Sequence, residues 1–291
     1  MSSQERKSLT HGEFWIPEAE REVYREALET LNREGVPYVV SGLYAVHTYT
    51  GIYRETKDLD LLMEPGVVVD AARALRAAGF ETVLEDAHWI AKALKGAQVD
   101  LIYGMSNGIG FIDGAWYENS RPGILAATPV RVAPAEELIW HRLYIGERHR
   151  FDMADVVHLI LHRGHELDWG RLLERVGEDW RLLMSQLHFF DFAYPDHRDR
   201  VPADVRRTLW ELEADALGRD GTEPGERRPE ADPDRRPVCR GTLLSRFSFA
   251  IDVNEWGFED ERVPHVAALR STPVVEEIRQ AEVWDRYGEG G

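Results

Sequence analysis

The sequence predicts an α+β fold: a mixed sheet flanked by helices, then a region built of helices alone. Three observations lead there. Over the first ~130 residues, amphipathic helical stretches alternate with short apolar runs of strand character. From Pro134 onward the apolar period is helical in one stretch after another. Within the first regime, "DLDLL" at residues 58–62 alternates carboxylates with leucines, the period of a strand whose two faces have opposite character.

Taken in order, "PEAEREVYREALETLNREG" reads as the first helix, with Pro17 at its first turn, Gly35 as its stop, and Val23, Ala27, Leu28 and Leu31 on one face. "VPYVVSG" reads as a buried strand entering a turn at Gly42. A short helix through "LYAVHTY" ends at Gly51, and the acidic strand follows. "PGVVVDAARALRAAGF" fits a second amphipathic helix, and "ETVLED", "WIAKALK" and "AQVDLIYG" fit strands. Five helical patterns come next: "PAEELIWHRLYIGE", "DMADVVHLILHRG", "DWGRLLERVG", "DWRLLMSQLHFFDF" and "ADVRRTLWELEADAL". Residues 218–237 are rich in Pro, Gly and charge and read as a mobile linker; the apolar, aromatic tail after them reads as a docking segment. The expected division is 1–130, 131–217, 218–237 and 238–291.

A chain of 291 residues with 43% apolar side chains and 9 Trp has ample material for a core. Its net charge of −17 argues against binding long DNA or RNA, where phosphate neutralisation supplies most of the affinity. It leaves room for a small substrate, or for a structured RNA such as tRNA met by a local basic patch. The single cysteine, Cys239, has no partner for an internal disulfide. "MSSQERKSLTHGEF" lacks the apolar run of a signal peptide, and no stretch approaches the ~20 apolar residues of a membrane span. The expectation is a cytoplasmic protein with no membrane partner.

Asp58 and Asp60 fall on one strand face, and Asp100 lies within a second apolar strand pattern. Carboxylates brought together in an apolar setting repel and need a counter-charge. Mg²⁺ takes hard oxygen ligands and shares its shell among carboxylates, water and phosphates, and two such ions support phosphoryl or nucleotidyl transfer. Without that role, the acids are sheet-edge charges or partners of buried arginines. The Ser41–Gly42 turn precedes a helix, whose N-terminal amides favour anions.

The stretches "VVSGLYAVHTYTGIYRETKDLDLLM", "VDLIYG" and "APAEELIWHRLYIGERHRFDMADVVHLI" resemble the DNA polymerase beta-like nucleotidyltransferase superfamily, particularly its small bacterial minimal members. The resemblance covers roughly residues 36–163. It implies a nucleotidyltransferase-like catalytic domain over 1–130 and Mg²⁺, as two ions, held by Asp58, Asp60 and Asp100. Asp100 would also take the proton of the attacking hydroxyl. It further implies nucleotide contacts from Ser41 and Gly42 in the turn, with Ser41 standing where Gly is usual. Arg54 and Thr56 match the Arg-x-Thr-x-Asp-x-Asp lead-in, and Arg142 is placed to clamp phosphates. The implied partners are an NTP, ATP among them, and an unidentified acceptor. The alternative is a non-catalytic relative that binds a nucleotide or a partner protein, as in a toxin–antitoxin pair.

Asp152 and Asp155 match later acidic positions of such proteins, while their local chemistry fits an N-cap and a first-turn acid. His158, His162 and His165 have a zinc-like spacing without an acidic or cysteine partner and are read as helix surface. The basic runs at 148–150 and 197–200 are read equally as a patch for an acidic substrate and as helix-end charge. In the tail, Arg240, Thr242, Ser245 and Arg246 offer phosphate donors if the tail reaches the acids, or simply cover the helical region.

Overall fold

The first helix, α1 (Glu18–Arg33), opens with Pro17 at its N-cap and buries Tyr24, Ala27, Leu28 and Leu31, the residues its i, i+3, i+4, i+7 spacing brings to one side. Gly35 terminates it at φ +68°, where a side chain would be strained. These elements belong to a computed structural model that describes residues 14–147, 152–219 and 236–288. The described chain divides into two units: residues up to Pro134 together with those from Arg262 onward, and residues Ala135–Glu261.

In the first unit, strand β1 (Val39–Val40) leads into α2 (Gly42–Thr50), then β2 (Asp58–Leu62) and, after a 3₁₀ turn, α3 (Val68–Ala77). Strands β3 (Glu81–Asp86), β4 (Ile90–Leu94) and β5 (Gln98–Ile102) follow, then a short helix α4 (Gly114–Glu118) and the hairpin β6 (Arg121–Leu125) to β7 (Thr128–Val132). The eight-stranded sheet runs β10-β3-β4-β5-β2-β1-β7-β6, its first strand, β10 (Arg286–Tyr287), coming from the end of the chain. At the centre, β2 lies parallel to β5 and antiparallel to β1. Leu59, Leu61, Val99 and Leu101 on one face of that pair are fully buried, as are Leu28, Leu31 and Leu75 on the helices. Each such side chain contributes roughly 1.5–3 kcal/mol of burial, so this is where the unit is anchored.

The second unit holds α5 (Ala135–Leu143), α6 (Met153–Arg163), α7 (Trp169–Val176), α8 (Trp180–Ala193) and α9 (Ala203–Arg219). Two-residue strands β8 (Val238–Cys239) and β9 (Glu259–Asp260) pair with each other, and the short α10 (Ala250–Asn254) lies between them. Arg142, Glu136, Glu137 and Asp155 are buried, and each is matched by opposite charge: Arg142 Nε to Asp155 Oδ2 at 3.3 Å, Arg171 to Glu136 at 2.7 Å and to Glu137 at 3.2 Å.

The structure redraws the division read from sequence. The first boundary falls after Pro134, and the tail does not stay together. Residues to Glu261 go with the helices, whereas α11 (Arg262–Arg270), α12 (Pro273–Gln280) and β10 complete the first unit. That return is fastened by β10 pairing with β3, by Asp285 accepting from the Thr82 amide at 2.9 Å, and by Arg270 reaching Asp86 at 2.9 Å. Helix α9 runs two residues into the expected linker, the rest of which, with the basic run at 148–150, lies largely or wholly outside the described residues. No helix among the described residues is long and apolar enough to cross a membrane.

Candidate active site

Strands β2 and β5 present two faces of opposite character. One is the leucine and valine face above. On the other, period 2 aligns Asp58 with Asp60 and Gln98 with Asp100, and the parallel register sets Asp58 beside Gln98 and Asp60 beside Asp100. The antiparallel register of β4 adds Lys92 beside Asp100. The three aspartates therefore share one face, as the sequence reading requires. Register alone brings Asp60 and Asp100 together, across two strands 40 residues apart in the chain.

Their environment is half-dry. Asp100 is 7% exposed, and burial pushes its carboxyl up to about 6; the Asp58 charge adds to the push, while the Gln98 hydrogen bond and the Lys92 charge oppose it. Gln98 Nε2 donates to Asp100 Oδ1 at 2.8 Å, and the Thr56 hydroxyl donates to Asp58 Oδ1 at 2.9 Å. Lys92 is shared with Glu85, 3.4 Å away. Tyr24 of α1 and Tyr44 of α2 are buried phenols whose pKa is raised, chiefly by burial and in part by the Asp58 charge, so both stay neutral donors or acceptors.

The turn after β1 is built against this face. Ser41 donates its backbone amide to the Asp60 carbonyl at 2.9 Å and stands at the N-cap of α2 without a side-chain capping bond. Gly42 adopts φ +60°, and a Cβ there would collide with the Asp60 carboxylate. Only glycine lets the helix start lie on the acid, so an anion approaching the first amides of α2 also meets Asp60. Arg54 is exposed in the loop leading to β2.

Hard oxygen donors on a shared face, with the charge on Asp100 disfavoured by burial and by Asp58, suit Mg²⁺. Among the described residues no three His, Cys, Asp or Glu side chains gather into a ready-made metal cluster. Mg²⁺ rarely needs one, since one or two carboxylates plus substrate phosphates and water complete its shell.

Arg142 departs from its expected employment. It is 3% exposed in α5, pairs with Asp155, and donates to the Leu138 carbonyl at 3.4 Å, so its guanidinium serves the interior of the second unit. Asp155 is thereby a partner of Arg142, and Asp152 occupies the N-cap of α6 without a side-chain capping bond. The tail donors are likewise engaged within their own unit: Arg240 with Asp179, Thr242 with the Cys239 carbonyl at 2.9 Å, Ser245 with Glu147 at 2.6 Å, and Arg246 over the Phe247 ring. Sequence reasoning passed over Gln98 and Lys92. Listing every second residue of β5 and its neighbour on β4 would have found both.

The sequence signature of the family described as "Uncharacterised nucleotidyltransferase" matches residues 18–185, more than half of the chain. No curated protein matches the chain. Among solved structures, the antibiotic-resistance factor ANT(2'')-Ia is 16% identical over 61% of this chain and 100% of its own, with a TM-score of 0.43. The lincosamide antibiotic adenylyltransferase LnuA is 15% identical over 50% and 96%, with a TM-score of 0.36. An antigenic nucleotidyltransferase-like protein from Paracoccidioides brasiliensis is 16% identical over 59% and 93%, again with a TM-score of 0.36. Likenesses this distant bear on no point of chemistry.

Proposed function

The chain belongs to the family of uncharacterised nucleotidyltransferases, and from that premise we propose that it moves a nucleoside monophosphate from an NTP to a hydroxyl-type acceptor, with Mg²⁺ held at Asp58, Asp60 and Asp100. The observation that carries the reading is the in-register acid face laid against the Gly42 turn. The divalent ions, when bound, neutralise charge on the phosphates and on the departing pyrophosphate.

The residues of the chain do the rest. The amides at the start of α2, after Ser41 and Gly42, bind phosphate oxygens, and Arg54, exposed in the loop before β2, would bring a planar donor fork to the same anion. Thr56 holds Asp58 in place. The acceptor oxygen bonds to the α-phosphorus as the bond from that phosphorus to the bridging oxygen breaks, and pyrophosphate leaves. Asp100, whose charged form a bound divalent ion would favour, takes the acceptor's proton.

The test is incubation with labelled NTPs, ATP first, and a panel of small aminoalcohols and tRNA, with Mg²⁺ or with chelator. Metal-dependent pyrophosphate release and labelled acceptor are expected. Nucleotide binding that is indifferent to the metal, with no release for any acceptor, would favour the non-catalytic alternative.

A further inference from the structure

We propose that Gln98 is a positioning residue for Asp100: its side-chain amide occupies one carboxylate oxygen so that the other is presented, still negative, to the bound cation. The inference rests on the metal-dependent reading above and adds to it a residue that the sequence did not single out.

The geometry has a repeated form. Two residues ahead of Asp58, the Thr56 hydroxyl donates to Asp58 Oδ1 at 2.9 Å; two residues ahead of Asp100, the Gln98 amide donates to Asp100 Oδ1 at 2.8 Å. Gln98 lies on the acid face because i and i−2 share a side in a strand, and Thr56 reaches its acid from the loop just before β2. Gln98 is also fixed laterally, in register with Asp58 on β2 and with Leu94 on β4, so its side chain springs from the centre of the sheet. Asp100 Oδ2 accepts no hydrogen bond from the described residues. The carboxylate is thus oriented by one bond and open on its other oxygen.

The chemistry of the donor matters as much as its position. A neutral amide can fix the rotation of a carboxylate without cancelling its charge. An Arg or Lys at position 98 would make a stronger, charge-assisted bond and would compete with a divalent ion for the same carboxylate. In unit two, Glu136, Glu137 and Asp155 each accept from an arginine, and Glu136 also from the Asp168 amide at 2.7 Å. Groups that orient metal ligands by hydrogen bonds commonly alter metal affinity by 10–100-fold when removed, roughly the scale expected here.

The experiment measures Mn²⁺ binding to the full chain by electron paramagnetic resonance, without nucleotide, alongside thermal melting of the metal-free protein. Gln98→Met keeps length and removes the donor; it should weaken Mn²⁺ binding about 10-fold with the melting temperature held. Gln98→Arg should retain the fold and weaken binding through competition. Asp60→Asn is the control for the metal reading. If wild type binds Mn²⁺, Asp60→Asn loses it, and Gln98→Met binds as wild type does, the role of Gln98 is refuted while the metal reading stands. If wild type binds no Mn²⁺, both fall. Equal losses in Mn²⁺ affinity and in melting temperature for Gln98→Met would make Gln98 a structural residue and also overturn the proposal.

Discussion

Buried carboxylates occur in both units, and the two units treat them differently. In the helical unit Glu137 is fully buried and faces Arg171 and Arg175, Glu136 faces Arg171, and Asp155 faces Arg142. In the sheet unit Asp100 is nearly as buried, yet the groups bonded to Asp100 and Asp58 are an amide and a hydroxyl. Burial raises the pKa of both Glu137 and Asp100, and in each a neighbouring acid adds to the push; two arginines counter it at Glu137, and the Gln98 hydrogen bond and the Lys92 charge counter it at Asp100. Taking a carboxylate out of water costs several kcal/mol unless a counter-charge is supplied. The helical unit supplies it as arginines in direct ion pairs; in the sheet unit Lys92, in register with Asp100, supplies it without a direct bond.

The largest expected effect breaks this contrast at its functional end. Asp60→Asn or Asp58→Asn should reduce transfer by about 10³-fold or more, because charge stabilisation at the reacting phosphate is lost. The metal-free protein should melt no lower than wild type, since like-charge repulsion is relieved. Pyrophosphate release and calorimetric melting check the two halves. Full activity in either variant would remove the acid face from the mechanism.

The structural end is broken by Arg142→Met. Removing Arg142 from beside buried Asp155 should destabilise the protein by about 3–5 kcal/mol, read from denaturant melts, and replacing Asp155 by Leu in the same chain should recover most of it. An Arg142→Met protein of unchanged stability and weakened NTP binding would return Arg142 to the phosphate-clamp role that its sequence position suggested.

The join between turn and acid is tested by Gly42→Ala. The new Cβ meets the Asp60 carboxylate and the backbone sits at φ +60°, so a cost of about 1–2 kcal/mol in stability is expected, with a loss of activity. A Gly42→Ala enzyme with wild-type kinetics would show that the turn and Asp60 move apart in the working state.

How far the sequence spoke depended on whether a residue's role was local. The acidic strand was legible because alternation of charge and leucine is a property of five consecutive residues, and α1 because its apolar face repeats with the helical turn. The hairpin of β6 and β7 was silent. Its tip is Ala126–Ala127, at φ +48° and +62°, where the residues that announce such a turn are Asn and Gly. Strand β10 is two residues long and is placed by Thr82 and Asp285, partners 203 residues apart, so no local pattern could mark it. The Arg142–Asp155 pair was not legible, because a cation in a helix looks the same in sequence whether it faces a ligand or a buried acid. At the site, Asp58, Asp60 and Asp100 could be named from pattern, but their shared face is a fact of register, and Gln98 becomes meaningful only once that register is known.

The smallest expected effect is a slope. Asp100 has a pKa raised from 3.8 to about 6 in the fold, so in the metal-free protein the folded state holds a proton that the unfolded chain has already released across that window. The protonated acid's contribution to stability is complete below the unfolded value, declines as pH rises through the window, and is gone above the folded value. The decline can reach at most about 1.4 kcal/mol per pH unit for one proton. Wild type and Asp100→Asn should therefore diverge in unfolding free energy as pH increases from about 4 to about 6 and run parallel above it. Saturating Mg²⁺ should flatten the wild-type curve, because a bound cation supplies the charge whose lack raises the pKa. The corresponding comparison for Glu137→Gln should show no response to Mg²⁺ at any pH, since its counter-charges are Arg171 and Arg175. A Mg²⁺ response at Glu137, or none at Asp100, would erase the distinction between an acid that the chain answers and one that it leaves for a ligand.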